Sequence, residues 1–344
     1  MTVTITDVAK MAGVSKSTVS QFLNHRYNFM SADTKLRIRT AIDKLNYQPN
    51  QIARSLKKKK TNLIAIVASN LFSRFTVHLV SAIENEVSRL GYEVILSTTN
   101  DDSKRELQYL QSFISRQVDG IIVFPTIANE EYYTRLSQEK FPLVFVDRYI
   151  ENVSVDTVIL DNFLAAELAT EELIKNNHRR IGILLFPLGH EDSITPRRQR
   201  LDGYFYAMQK YGLETPPEYT KIGDANNIDM LIREMMTLPM PPTAIIAGND
   251  VILEKVLLWS KEENKQIPLD YSLIGIDDVS VARFYTPSIT TISQPVEKMG
   301  TEAAQLLLKR IAAGDSHQKI DESTFLKLPP KIIKRNSVRK IRVE

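Results

Sequence analysis

The stretch Ile5-Thr6-Asp7-Val8-Ala9-Lys10-Met11-Ala12-Gly13-Val14-Ser15-Lys16-Ser17-Thr18-Val19-Ser20-Gln21-Phe22-Leu23-Asn24 decides how this chain is read. Val8, Ala9 and Ala12 give a first short helix one small apolar face. Gly13 can take the left-handed conformation that ends this helix and redirects the chain. Ser15 is suited to cap the next helix, which Val19, Phe22 and Leu23 pack back onto the first. Lys16, Ser17, Ser20 and Gln21 then face outward. The pattern predicts a helix-turn-helix whose second helix opens in side chains able to read the edges of DNA bases.

Charge follows the same division. Residues 1–60 hold 12 Lys or Arg against three Asp, a surplus of nine that leaves the remainder six net negative in a chain of net charge +3. A basic end on an acidic body suits a handle for phosphate. At 344 residues the chain has the length for two or three compact units. It has no cysteine, hence no disulfide or thiolate metal site, which fits a reducing compartment. It opens without a basic-then-apolar signal segment, and no apolar run reaches the length of a membrane span. The expectation is a cytoplasmic protein away from membranes. The phosphate loop, the dinucleotide fingerprint and the H-E-x-x-H zinc motif are all missing, and the five histidines are scattered. The chain therefore reads as a non-enzyme with no metal and no cofactor.

Downstream, Ser31-Ala32-Asp33 caps a third helix over about 33–45, with Leu36, Ile38, Ala41, Ile42 and Leu45 expected as its buried stripe. From Leu63 onward, short β-branched runs alternate with amphipathic helices. The runs include 63–68, 92–97, 120–124, 143–146, 181–186, 244–247 and 272–276. Such alternation indicates parallel, doubly wound sheets, which place ligands at the carboxyl ends of their strands.

The opening pattern T-I-x-D-V-A-x-x-A-G-V-S-x-x-T-V-S-x-x-L-N closely resembles the amino terminus of LacI/GalR-family transcriptional regulators. The resemblance continues through Tyr47-Gln48-Pro49-Asn50, Ala53-Arg54-Ser55-Leu56, Asp119-Gly120-Ile121-Ile122, Val146-Asp147-Arg148, Asp161-Asn162, His178-Arg179-Arg180-Ile181, Arg200-Leu201-Asp202-Gly203-Tyr204, Asn249-Asp250, Gly275-Ile276-Asp277-Asp278 and Thr290 to Pro295, reaching about Asn336. It implies an all-α helix-turn-helix domain over 1–60 with a hinge at about 49–58, then a core over 61–344 of the type I periplasmic-binding-protein-like fold. That core would hold two doubly wound parallel-sheet subdomains, one of about 61–160 and 292–325, the other of about 161–291 and 326–344.

The implied function is that of a homodimeric repressor on a pseudo-palindromic double-stranded DNA operator, controlled by a small sugar or sugar acid between the subdomains. The alternatives are control by a protein partner with a vestigial cleft, and a sugar-binding protein without DNA, which the helix-turn-helix disfavours. The 331–344 segment lacks a leucine heptad, so a dimer is expected rather than a tetramer. The resemblance assigns base reading to Lys16, Ser17 and Gln21. It assigns phosphate contact to Thr18, Tyr47 and Asn50, and minor-groove binding to a hinge with Ala53, Leu56 and Lys57, Leu56 being the wedge. Gln21 stands where many relatives carry Arg or His. For the effector it nominates Phe75, Phe124, Asp147, Arg200, Asn249, Asp277 and Gln294. Arg74 joins them because it replaces the proline usual at the helix start lining the cleft, and two guanidinium groups around one polyol would favour an anionic sugar.

Overall fold

The computed structural model describes residues 3–28, 30–48, 60–190, 193–316 and 322–342. The chain divides into two compact units, Met1–Thr61 and Asn62–Glu344. The first holds three helices, α1 (Ile5–Ala12), α2 (Lys16–Leu23) and α3 (Ala32–Leu45). Thr4 and Asp7 form a capping box on α1, and Gly13 ends it at φ 63°. The Ser15 hydroxyl accepts the Thr18 amide at 3.1 Å and so starts α2. Val8, Ala9, Ala12, Val19, Phe22, Ile38 and Ala41 make a small core around which the helices close. The Arg37 guanidinium donates to the Ala12 carbonyl at 3.1 Å and ties α3 to the end of α1. Leu36 departs from its expected burial and is 64% exposed. It lies two positions from Ile38, about 200° around the helix, and so falls opposite the stripe of Ile38, Ala41 and Ile42.

The second unit is built on two six-stranded sheets of one design. The first takes β1 (Leu63–Ala68), β2 (Glu93–Thr98), β3 (Gly120–Val123), β4 (Leu143–Val146), β5 (Asp156–Leu160) and β11 (Phe325–Leu328), in the order β11-β5-β4-β3-β1-β2 and all parallel. The second takes β6 (Ile181–Leu185), β7 (Thr220–Ile222), β8 (Ala244–Ala247), β9 (Ser272–Ile276), β10 (Thr290–Ser293) and β12 (Lys331–Ile333), in the order β12-β10-β9-β8-β6-β7. Only β12 runs antiparallel to its neighbour among the described strands. In each sheet the winding reverses beside its first strand, β1 or β6, and this switch point is where such sheets bind ligands.

Helices cover both faces of each sheet. α4 (Arg74–Arg89) and α12 (Val296–Ser316) pack on one face of the first sheet, with Leu79, Ile83, Met299 and Leu307 against Ile64, Ile66 and Ile122. A Cβ on Gly300 would stand 2.5 Å from the Ala82 Cβ, so these two helices approach as closely as they do only with glycine there. α5 (Ser103–Ser115) and α6 (Glu130–Gln138) cover the opposite face. On the second sheet α7 (Asn162–Lys175) and α8 (Thr195–Lys210) pack on one face, α9 (Ile228–Met236), α10 (Asp250–Glu262) and the short α11 (Ser280–Phe284) on the other.

The chain crosses between sheets at 161, after β10 and after β11, so two expected boundaries move. Ile292 pairs with Ile276 and Ile332 in the second sheet, and residues 326–328 pair with 158–160 in the first. Each strand completes its ladder before the chain leaves the sheet, because a half-paired buried strand would strand its amides away from water.

Candidate DNA-reading face and ligand cleft

On α2, Val19 and Phe22 turn into the three-helix core while Lys16, Ser17 and Gln21 are exposed together at its start and one turn on. Thr18 is half-buried, its hydroxyl paired with Ser15 at 2.8 Å, so it braces the turn before it can meet a phosphate. Tyr47 is half-buried against the core, and burial pushes its phenol above the ordinary range. An α2 that presents Lys16, Ser17 and Gln21 to solvent has the form needed to enter a major groove. Asn50, Ala53, Leu56 and Lys57, with the rest of the expected hinge, lie outside the described residues.

The second cluster forms where the carboxyl ends of the two sheets meet. A cavity of about 60 Å³ is lined by Phe75 at the start of α4, Asp147 and Arg148 after β4, Phe186 after β6, Arg197 and Arg200 on α8, Asn249 before α10, and Asp277 after β9. Two of these residues hold left-handed backbones that side chains seldom adopt, Asp147 at φ 66° and Asp277 at φ 85°. They occupy matching strand ends, β4 in one sheet and β9 in the other. Backbone strain of this kind gathers at binding sites, where the fold holds a side chain aimed inward.

Arg200 acts electrostatically on both carboxylates. It is buried, and its Nε donates to the Asn162 amide oxygen at 2.8 Å and its Nη1 to the Gly248 carbonyl at 2.6 Å. Burial raises the Asp147 carboxyl above its usual range, against the pull of Arg148, Arg200 and Arg197. Burial likewise pushes Asp277 up to about 6, with Arg200 opposing and Asp250 adding to the rise. Asp277 accepts from Gln294 at 2.5 Å and from the Asp250 amide at 3.3 Å. Asn249 uses its side-chain oxygen to cap α10 through the Ile252 amide at 2.9 Å, leaving its amide nitrogen as the donor. Among the described residues, Gln294 Oε1 and Thr195 Oγ1 are buried with no hydrogen-bond partner, polar groups of the kind a bound ligand satisfies.

Of the residues expected for an effector, Phe75, Asp147, Arg200, Asn249 and Asp277 line this cavity, and Gln294 reaches it through Asp277. Two do not. Phe124 is fully buried beneath α4 and α12, in register with Ile122 on that face of the sheet. Arg74 is exposed and outside the cavity lining, since it sits one position, about 100°, off the Phe75–Leu79 stripe. Two further cations line the cavity beside Arg200, namely Arg148 and Arg197, which the sequence alone left unassigned. Both bind Asp101, at 2.7 and 3.0 Å, and hold its carboxyl below the usual range. Arg197 also donates to the Pro187 carbonyl at 2.6 Å and lies over the Phe186 ring. Burial and Arg148 lower it to about 10, so it remains a cation at neutral pH. Its position three residues before Arg200, on the same helical face, was the available signal.

Among the described residues no group of side chains is placed to hold a metal ion, and no helix is long and apolar enough to cross a membrane.

Residues 4–50 match the bacterial regulatory proteins of the lacI family, and residues 170–338 match a periplasmic binding protein-like domain. The chain is 47% identical over 99% of its length to the whole of the probable HTH-type transcriptional regulator EndR of Paenibacillus polymyxa. It is 32% identical to the ribose operon repressor of Escherichia coli, over 97% of this chain and 99% of that one. Its fold is similar to that of the lac repressor dimer bound to operator and the anti-inducer ONPF, with a TM-score of 0.83 and 25% identity over 98% of this chain and 100% of that one.

Proposed function

This chain belongs to the LacI family of bacterial regulatory proteins, DNA-binding transcriptional regulators, and we propose that it represses its targets as a homodimer whose grip on DNA is set by a neutral polyhydroxylated molecule in the cleft. A single recognition helix has too little interface for useful affinity, and the related lac repressor binds its operator as a dimer. Gln21 and Lys16 read base edges, Ser17 assists, and the hinge with Ala53, Leu56 and Lys57 enters the minor groove.

The observation that carries the ligand reading is the pair of buried left-handed aspartates, Asp147 and Asp277, lining one cavity with Arg200. Carboxylates fixed this way accept from hydroxyls in definite directions, while Asn249 donates and Phe75 offers an apolar face. Neutrality of the ligand follows from charge. The three guanidinium groups lining the cavity, Arg148, Arg197 and Arg200, are matched in number by the carboxylates of Asp101, Asp147 and Asp277, so the site carries no surplus positive charge for an anion to balance. The Arg74 motive for an anionic sugar falls with that residue's exposure.

Matched sugars test this reading. Thermal melting against a neutral library, with galactose and galacturonate as one pair, should show stabilisation by a neutral member, about 2.7 kcal/mol at one hundred times its Kd. Stabilisation by sugar acids alone would refute neutrality. A wholly inert library would refute the polyol reading.

A further inference from the structure

The cleft is closed by the chain's own groups. Asp250, the first residue of α10, belongs to the second-sheet subdomain, yet its carboxylate lies at the amino terminus of α4 in the first. Its Oδ2 accepts from the Ser73 hydroxyl at 3.1 Å, the Arg74 amide at 2.5 Å and the Phe75 amide at 3.3 Å. The side chain is buried, with the residue 1% exposed. The first amides of a helix have no partner within it, and its positive end favours a carboxylate. Ser73 caps α4 from within its own subdomain by accepting the Thr76 amide, so Asp250 adds a second cap from across the cleft.

Asp250 is also wired to the ligand residues. Its amide donates to Asp277, whose other oxygen is held by Gln294 at the crossover after β10. A hydrogen-bonded line thus runs from Gln294 through Asp277 and Asp250 to α4. Other cross-cleft links are Asp101 to Arg197, Tyr149 to Gln199 at 3.1 Å, and Glu151 to Arg198 at 3.4 Å. The last is solvent-exposed, and such pairs contribute little.

Volume gives the line its meaning. The cavity between the subdomains measures about 60 Å³. Ligand pockets run to about 300 Å³ or more. A sugar therefore enters only when the subdomains part, and parting them strips α4 of its carboxylate. We propose that Asp250 is an internal latch, an intramolecular occupant of the α4 terminus that holds the two subdomains together and that an effector entering the cleft must release. Effector affinity is then scaled down by the fraction of molecules that are open, so the latch sets the concentration at which the regulator responds. The coupling of the latch to an effector rests on the ligand reading above, but the latch itself does not.

The absence of native cysteine makes the test direct. Lys104→Cys and Asn226→Cys, exposed sites on the two subdomains, carry spin labels in full-length chains diluted with excess unlabelled protein. Pulsed electron–electron distances are taken without any sugar. The wild type should show one short distance. Asp250→Ala should shift the open-to-closed ratio by about tenfold or more and add a longer distance, as expected for the loss of three hydrogen bonds to a charged acceptor. Asp250→Asn keeps an acceptor oxygen without the charge and should fall between. It also serves should the alanine variant fold poorly, which circular dichroism would reveal. A distance distribution unchanged in folded Asp250→Asn or Asp250→Ala overturns the latch, whatever the outcome of the sugar library. A shift in protein that no sugar stabilises upholds the latch and refutes only the ligand reading.

Discussion

Arg200→Met should cost stability as well as ligand response. The guanidinium ties α7 to the loop before α10 through Asn162 and Gly248, both bonds buried. Hydrogen bonds to a charged group are worth about 1.5–3 kcal/mol each, and methionine recovers part of the packing, so we expect a loss of about 2–4 kcal/mol. The substitution also removes the cation that opposes the rise of the Asp277 carboxyl. With its folded pKa at about 6, above the unfolded value of 3.8, Asp277 makes the native state bind more protons than the unfolded state between those values. Stability therefore falls as pH rises through that window. Without Arg200 the upper edge should move above 6, and the fall should continue toward neutral pH. Denaturant unfolding at pH 5, 6, 7 and 8 checks this, with Asp277→Asn and the double variant alongside. The double variant should lose the extra pH dependence. An Arg200→Met protein within about 0.5 kcal/mol of wild type at every pH would refute the reasoning, and would return Arg200 to a role in ligand contact alone.

Gln21→Ala should relax base preference at one symmetric pair of operator positions, at about 1–3 kcal/mol per bidentate contact, as read by binding-site selection. Leu56→Ala should weaken specific binding and reduce DNA bending while sparing the salt-dependent non-specific component, measured by titration at several salt concentrations. His178 is fully buried between Thr243 and the Arg339 carbonyl, and burial lowers its pKa to about 4 from 6.5. The native state then binds fewer protons than the unfolded state in that window, so stability falls as pH drops from 6.5 to 4, by at most about 3 kcal/mol. His178→Gln should flatten that decline in unfolding measurements across this range, which runs opposite in sign to that of Asp277.

The parts of this molecule legible in the sequence are those set by local chemistry. Ser15, Gly13 and the Val19–Phe22 stripe determine α2 within a few residues, and the structure places each as its type requires. The β-branched runs marked most long strands, because strands buried on both faces leave little choice of residue. Shorter strands such as β7, β11 and β12 carry half-exposed, mixed sequences, and only their partners identify them. Strand parity explains the misplacement of Phe124. Ile121 and Val123 face α5 and α6, so Phe124 returns to the α4 side and goes under the helices. The same limit hid Asp250. Its neighbour Asn249 has the local role of a cap, whereas the Asp250 carboxylate is satisfied by amides 175 and 176 positions away in sequence. Arg74 shows the reverse case, an unusual residue whose backbone, not its side chain, takes part in the cleft.

In the proposed function, a ligand between the two α/β subdomains alters sequence-specific DNA binding by this chain. The most direct measurement is operator titration by fluorescence anisotropy, on an inverted repeat recovered by binding-site selection, with and without the sugar that most raises the melting temperature. Dimeric binding to the inverted repeat should weaken steeply with salt and shift about tenfold or more with the sugar. Operator affinity that is the same with the sugar bound as without it would mean that the cleft does not control DNA binding.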